Sequence, residues 1–227
     1  MVIEIYGLPA TGKTTLANLL VRETNCVAPP KMRGWFDVLC CSMRYILRYP
    51  AFCIHFLILT WKQTRGKRFG RRRLRLFLYK FVHRYLYILA KRAKINSLDQ
   101  SNVYVLDEGW LQVALGIFEK PCPEIEYLLE NITPPKAIVS VDLRESSWKE
   151  RMIELGGRSR RFMGKDYTQA WIRDLCSVHS EISDAVAKSI ECPIIHVDAS
   201  LPPKKNLHQV VPQLQSALSA DVSFHDS

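Results

Sequence analysis

Gly7-Leu8-Pro9-Ala10-Thr11-Gly12-Lys13-Thr14 follows the apolar run Val2, Ile3, Ile5, Tyr6 and precedes Leu16, Ala17, Leu19 and Leu20 at helical spacing. A strand, a glycine-rich turn and a helix in that order form the context a phosphate-binding P-loop requires. Gly7 and Gly12 let the backbone curl so that successive N–H groups face a polyphosphate with no Cβ in the way. The Lys13 ammonium is placed to reach the β- and γ-phosphates, the Thr14 hydroxyl to ligate Mg²⁺, and the helix aims its positive end at the same anion. The alternative is a Gly-rich turn that binds no nucleotide. Four fixed positions between a strand and a helix weigh against it.

Working outward, a chain of 227 residues is long enough to bury a substantial core. The first strand starts almost at Met1 with no basic stretch before it, so no signal peptide is expected. Cys26, Cys40, Cys41, Cys53, Cys122, Cys176 and Cys192 make an odd set with no C-x-x-C spacing. Reduced thiols in a cytoplasmic protein are expected, and neither a disulfide framework nor a zinc site.

The net charge of +10 is unevenly spread. Residues 31–94 hold 17 Lys or Arg against the single acid Asp37, which leaves the rest of the chain net acidic. Such a field attracts an anionic partner: a phosphorylated substrate, a nucleic acid or an anionic membrane surface. The same region reads as two long helical stretches. The first covers about residues 35–61, and its apolar run 51–61, interrupted by His55 and Thr60, is too short to span a bilayer. In the second, Leu74, Phe77, Leu78, Phe81, Val82, Tyr85, Ile88 and Leu89 share a stripe, with Arg71, Arg72, Arg73, Arg75, Lys80, Arg84, Lys91 and Arg92 largely around it. Solvated charges on a packed amphipathic helix are the plain expectation, with membrane-surface contact the rival.

Beyond it, residues 103–106 are four apolar residues running into Asp107, Glu108 and Gly109, a pattern for a buried parallel strand with its carboxyl end at Asp107. Further strands are expected at 137–141, ending at Asp142, and at 193–197, ending at Asp198, with Cys26-Val27-Ala28 as an edge strand stopped by Pro29 and Pro30. Helices are expected between them, the last kinked or restarted at Pro212. Strands alternating with helices imply a parallel sheet covered on both faces, with ligands at the strand carboxyl ends. Asp107 would then hold Mg²⁺ or accept a hydroxyl proton beside the P-loop, with helix capping as its alternative role. Glu108 is the other candidate, since adjacent strand side chains point opposite ways. Arg151, Arg158, Arg160 and Arg161 cluster around Gly156 and Gly157, and would close over a transferring phosphoryl group unless they are simply solvated.

The series G-L-P-A-T-G-K-T-T, V-Y-V-L-D-E-G, A-I-V-S-V-D-L-R-E-S followed by K-E-R-M, an Arg-rich loop, and I-I-H-V-D-A resembles the P-loop nucleoside and nucleotide kinases, particularly thymidylate kinase and the deoxynucleoside kinases. The resemblance covers residues 1–30 and 100–220. It implies an α/β P-loop NTPase three-layer sandwich, with a basic helical insertion at about 31–98 and a lid at about 156–166. It also implies that Gly7, Ala10, Thr11, Gly12, Lys13, Thr14 and Thr15 hold the ATP phosphates, that Thr14 and Asp107 hold the metal, and that Arg151, Arg158 and Arg160 belong to the lid. Where those kinases carry Arg after the acid, this chain has Glu108, and its basic insertion matches no substrate-binding region of theirs.

The expectation is therefore an ATP- and Mg²⁺-dependent phosphotransferase acting on a small acceptor, foremost a nucleoside or nucleotide. A sugar or lipid head group at an anionic membrane is the alternative acceptor, and a P-loop ATPase or nucleotide-dependent regulatory protein the alternative class. A homodimer is left open. Nucleic acid is disfavoured, because no recognised module accompanies the charges.

Overall fold

The computed structural model describes residues 1–64, 78, 81–98, 101–118, 124–154 and 169–219. Its centre is a four-stranded parallel sheet in the order β2-β1-β3-β4. The strands are β1 (Val2–Gly7), β2 (Tyr104–Leu106), β3 (Ala137–Asp142) and β4 (Ile194–Asp198). β1 lies in the interior, paired through Ile3↔Val105 on one side and Ile5↔Val139 on the other, and all six of its residues are buried. Both neighbours run parallel to it, so the P-loop and Asp107 emerge at the same edge of the sheet. The 26–28 segment contributes one bridge, Val27 to Tyr104, with Val27 N donating to Val103 O and Val105 N donating to Val27 O. Pro29 and Pro30 lack the N–H groups a longer ladder would use.

Pleat alternation divides the chain into layers. Ile3 and Ile5 face α1 (Lys13–Glu23), together with Leu16, Leu20, Val139, Val197, Val210 and Leu214, the last two from the C-terminal helix Pro203–Ser219. Glu4 and Tyr6 point the other way, toward the larger cluster. That layer is built from α2 (Trp35–Arg48), α3 (Pro50–Thr64), a π-helical turn (Phe81–Leu86) running straight into α4 (Tyr87–Asn96), α5 (Trp110–Ile117), α6 (Ile125–Glu130), α7 (Glu145–Glu154) and α8 (Gln169–Ser189). On α8, Leu175, Val178, Ile182, Ala185 and Val186 recur at helical spacing and are buried. The C-terminal helix is α9.

Three sequence expectations change. The stretch 35–61 is two helices, because Pro50 bars the preceding residue from helical geometry and Tyr49 adopts φ −133, ψ 57. Pro212 lies within α9, which is not restarted there. The charges of the second basic helix are not all solvated: Lys91 and Arg92 are buried. Arg92 meets Glu4 at 3.4 Å, with side chains 3% and 0% exposed, because α4 lies across the face of β1 from which Glu4 projects. The lid at 156–166, including Arg158, Arg160, Gly156 and Gly157, lies outside the described residues, as do Arg71 to Arg75 and Cys122. The six described cysteines are free thiols. Among the described residues no helix is long and apolar enough to cross a membrane.

Candidate active site

Residues 7–12 turn sharply between β1 and α1. Gly7 passes so close to β3 that a Cβ there would run into the Val141 carbonyl oxygen. Gly12 adopts φ +89, and Ala10, at φ 64, is the one non-glycine residue with positive φ among those described. A left-handed alanine carries a strain of order 1 kcal/mol, and strain of this kind gathers where a loop is shaped for a ligand. The turn is held from within and without. Thr11 Oγ1 donates to Leu8 O at 2.9 Å, and Trp148 Nε1 on α7 donates to Pro9 O at 2.8 Å.

Lys13 opens α1 but folds inward, its Nζ donating to Leu8 O at 2.6 Å, and the residue is only 9% exposed. Burial pulls its pKa down to about 8 against the opposing pull of Asp107 and Glu108, with Arg84 adding to the depression. Thr14, one residue on, points out at the mouth of the loop, where its Oγ1 donates to Asp107 Oδ2 at 2.8 Å. A hydroxyl and a carboxylate at that spacing are hard oxygen donors of the kind Mg²⁺ takes one or two of from protein, drawing the rest from water and substrate phosphates. The donor set fits that ion.

Glu108 turns to a different neighbour. Its Oε1 accepts from Arg84 Nη1 at 3.0 Å, and Arg84 belongs to the π-helical turn that opens α4. The π-helical turn thus delivers a guanidinium to Glu108 beside the P-loop, close enough to perturb Lys13. Nothing in the sequence pattern marked Arg84 among so many basic neighbours. Beneath them, Glu4 takes the backbone N–H of Leu111 at 2.5 Å and sits at the N-terminus of α5, the favourable end of the helix dipole for an anion. Gly109 has to be glycine, because a Cβ would occupy the space of the Glu4 carboxyl group. Burial raises the pKa of Glu4 even with Arg92 beside it.

A cleft of about 300 Å³ adjoins the P-loop, lined by Thr11, Gly12, Leu16, Arg151, Asn206 and the loop 199–203. Arg151 faces this cleft, Nη2 donating to Ala199 O at 3.2 Å. Asn206 is buried there, its Nδ2 donating to Asp198 O at 2.9 Å and its Oδ1 without a hydrogen-bond partner among the described residues. No sequence signal distinguished it. The strand-end acids Asp142 and Asp198 brace this wall. Asp142 accepts from Ser140 Oγ at 2.7 Å and lies 2.8 Å from His196 Nδ1, while Asp198 accepts from Ser200 N at 2.8 Å. Of the expected site residues, the structure brings Gly7, Ala10, Thr11, Gly12, Lys13, Thr14, Asp107 and Glu108 to one edge of the sheet, with Arg151 at the cleft beside them. Thr15 is exposed in the first turn of α1.

No family model matches the sequence, and no curated protein matches it. Among solved structures, the chain is similar to deoxyadenosine kinase from M. mycoides with bound dATP, at 14% identity and a TM-score of 0.49 over 95% of this chain and 100% of that one. The same enzyme with bound dCTP gives 13% and 0.46, and with the products dCMP and a flexible dCDP 12% and 0.49, at the same coverage.

Proposed function

We propose that this chain is an ATP-dependent phosphotransferase that moves the γ-phosphoryl group to a small acceptor, most simply a nucleoside or nucleotide, within one kinase-like unit that carries the helical insertion. The observation that carries the reading is Thr14 hydrogen-bonded to Asp107 at 2.8 Å in front of the Lys13 loop. A polyphosphate on the curled backbone would displace Lys13 from Leu8 O and take its ammonium. The nucleoside end of ATP would enter the adjoining cleft, where Asn206 Oδ1 offers an unused acceptor to a base amino group.

In the transfer, an acceptor oxygen attacks the γ-phosphorus as the bond to the β–γ bridging oxygen breaks, leaving ADP. Lys13 neutralises charge on the phosphoryl oxygens, and Arg151, Arg158 and Arg160 are assigned to the same task at the lid. Thr14 and Asp107 would hold Mg²⁺, which when bound would offset the negative charge that develops in the transfer. With Asp107 committed to Thr14, Glu108 is the better placed base for a hydroxyl acceptor, and Arg84 orients it. An already ionised phosphate acceptor would need no base.

Transfer from γ-labelled ATP into a panel of nucleosides, nucleoside monophosphates, sugars and lipid extracts, against the Lys13→Ala protein, tests the reading. A labelled product absent from the control identifies the acceptor class. Free phosphate as the sole product makes the chain an ATPase. Asp107→Asn should cut Mg²⁺-dependent turnover by roughly 100-fold or more and raise the Mg²⁺ concentration required. An unchanged Mg²⁺ titration would move the metal role to Glu108.

The depressed pKa of Lys13 gives a pH signature. A bound polyphosphate favours the ammonium form and raises that pKa, so binding near pH 8.5 takes up protons, and affinity falls as pH rises above about 8. Below about pH 7, Lys13 is charged in both states and contributes no slope. Calorimetry in two buffers of different ionisation enthalpy measures the uptake. Binding without it at pH 8.5 would mean that Lys13 does not meet the phosphates.

A further inference from the structure

The outward face of α2 is apolar. Its inward side is accounted for by Val38, Ser42 and Tyr45, all buried. On the opposite side, Phe36, Leu39, Met43 and Leu47 recur at helical spacing and stand in solvent, Phe36 at 79% and Leu47 at 76% exposed. A helix on a protein surface ordinarily presents its polar residues there, and a contiguous apolar stripe marks a binding face. One flank of the stripe carries Arg44 and Arg48, both exposed. The helix has one acid, Asp37, and that acid is already taken: it accepts from Lys94 Nζ at 2.7 Å and from Arg33 N at 2.9 Å.

We propose that α2 is a membrane-docking helix, its apolar stripe entering the headgroup boundary of an anionic bilayer and Arg44 and Arg48 pairing with lipid phosphates and carboxylates. Charge decides between occupants. Whichever way a second copy of the chain sat on the same stripe, its α2 would offer Arg44 and Arg48 no uncommitted acid, because Asp37 is already taken. An anionic lipid surface supplies the missing countercharge, and Phe and Leu on one side with Arg beside them is the arrangement that lies in such an interface. The concentration of 17 basic residues in 31–94 adds attraction at longer range.

The test is co-sedimentation of the full chain with vesicles of phosphatidylcholine alone and of phosphatidylcholine with about 30% phosphatidylserine. The parent protein should pellet with the anionic vesicles, and weakly or not at all with the neutral ones. Phe36→Asp/Leu47→Asp and Arg44→Ala/Arg48→Ala should each weaken anionic-vesicle binding by roughly tenfold or more. All four side chains are exposed, and unchanged melting temperatures and ATP binding would show the variants folded. Failure of the parent to bind anionic vesicles overturns the proposal. So does equal binding by the Phe36→Asp/Leu47→Asp protein, which would assign attraction to basic residues elsewhere. Light scattering that shows a dimer lost in that variant, without parent binding to vesicles, would make the stripe a self-association face.

Discussion

Replacing Lys13 by Ala is expected to lower phosphoryl transfer by on the order of 1,000-fold or more while making the protein harder to unfold. The loss follows from position. Lys13 is the one cation at the head of α1 in contact with the P-loop turn, and no other described residue brings an ammonium to Leu8 O. The gain follows from burial. An amine whose pKa is held near 8 in the folded chain but is ordinary in the unfolded one binds its proton more weakly when folded. Its charging therefore favours the unfolded state progressively as pH falls from the ordinary lysine value to about 8, and that cost is fully present at neutral pH. Removing the amine should raise stability at pH 7 by roughly 1 kcal/mol after the lost hydrogen bond to Leu8 O is allowed for, and by less above pH 10. Paired activity assays and denaturant titrations measure both effects. Full activity would remove Lys13 from the site, and a destabilised variant would show that its burial supports the fold.

The second large effect lies away from the phosphates. Arg92→Met leaves the Glu4 carboxylate buried without its cation, and breaking a buried pair in this way typically costs about 3–5 kcal/mol. In a chain of this size that is a fall of roughly 10 °C in melting temperature. Burial already raises the pKa of Glu4, and the substitution raises it further, so between the two values the variant holds a proton that the parent does not. Its deficit relative to the parent should shrink as pH falls toward the ordinary carboxyl value of 4.5, since a protonated Glu4 needs no cation. Thermal melts of the two proteins between pH 5 and 8, within roughly the usual working range, measure the difference. Parallel curves would mean that Glu4 and Arg92 do not depend on each other.

The parts of this molecule visible in its sequence are those with short, periodic signatures. The P-loop is contiguous, and the strands ending at Asp107, Asp142 and Asp198 are apolar runs that stop at acids, so the parallel sheet and the edge bearing the candidate site follow from pattern. The helix break at Tyr49 was signalled by Pro50 and outweighed by the apolar run around it. Glu4–Arg92 and Glu108–Arg84 join residues 88 and 24 apart, and one basic residue among 17 carries no mark of where its guanidinium goes. A signal for the first pair did exist. Glu4 stands between Ile3 and Ile5 in a strand covered on both sides, and a carboxylate there requires a partner. Asn206 and the exposed side of α2 depend on tertiary placement alone.

The Glu4 carboxyl group touches three parts of the chain at once: the strand that delivers the P-loop, Arg92 of α4, and the start of α5 beyond Gly109. Residues 31–98 are therefore not a cassette. Splicing in a foreign segment, or deleting this one, strips the buried Glu4 of the central strand of its cation. A chimera would need either an arginine re-created at the equivalent of Arg92 or an uncharged residue at Glu4, and the latter also gives up the anion at the head of α5. Any replacement of residues 31–98 has to be engineered across that junction as well.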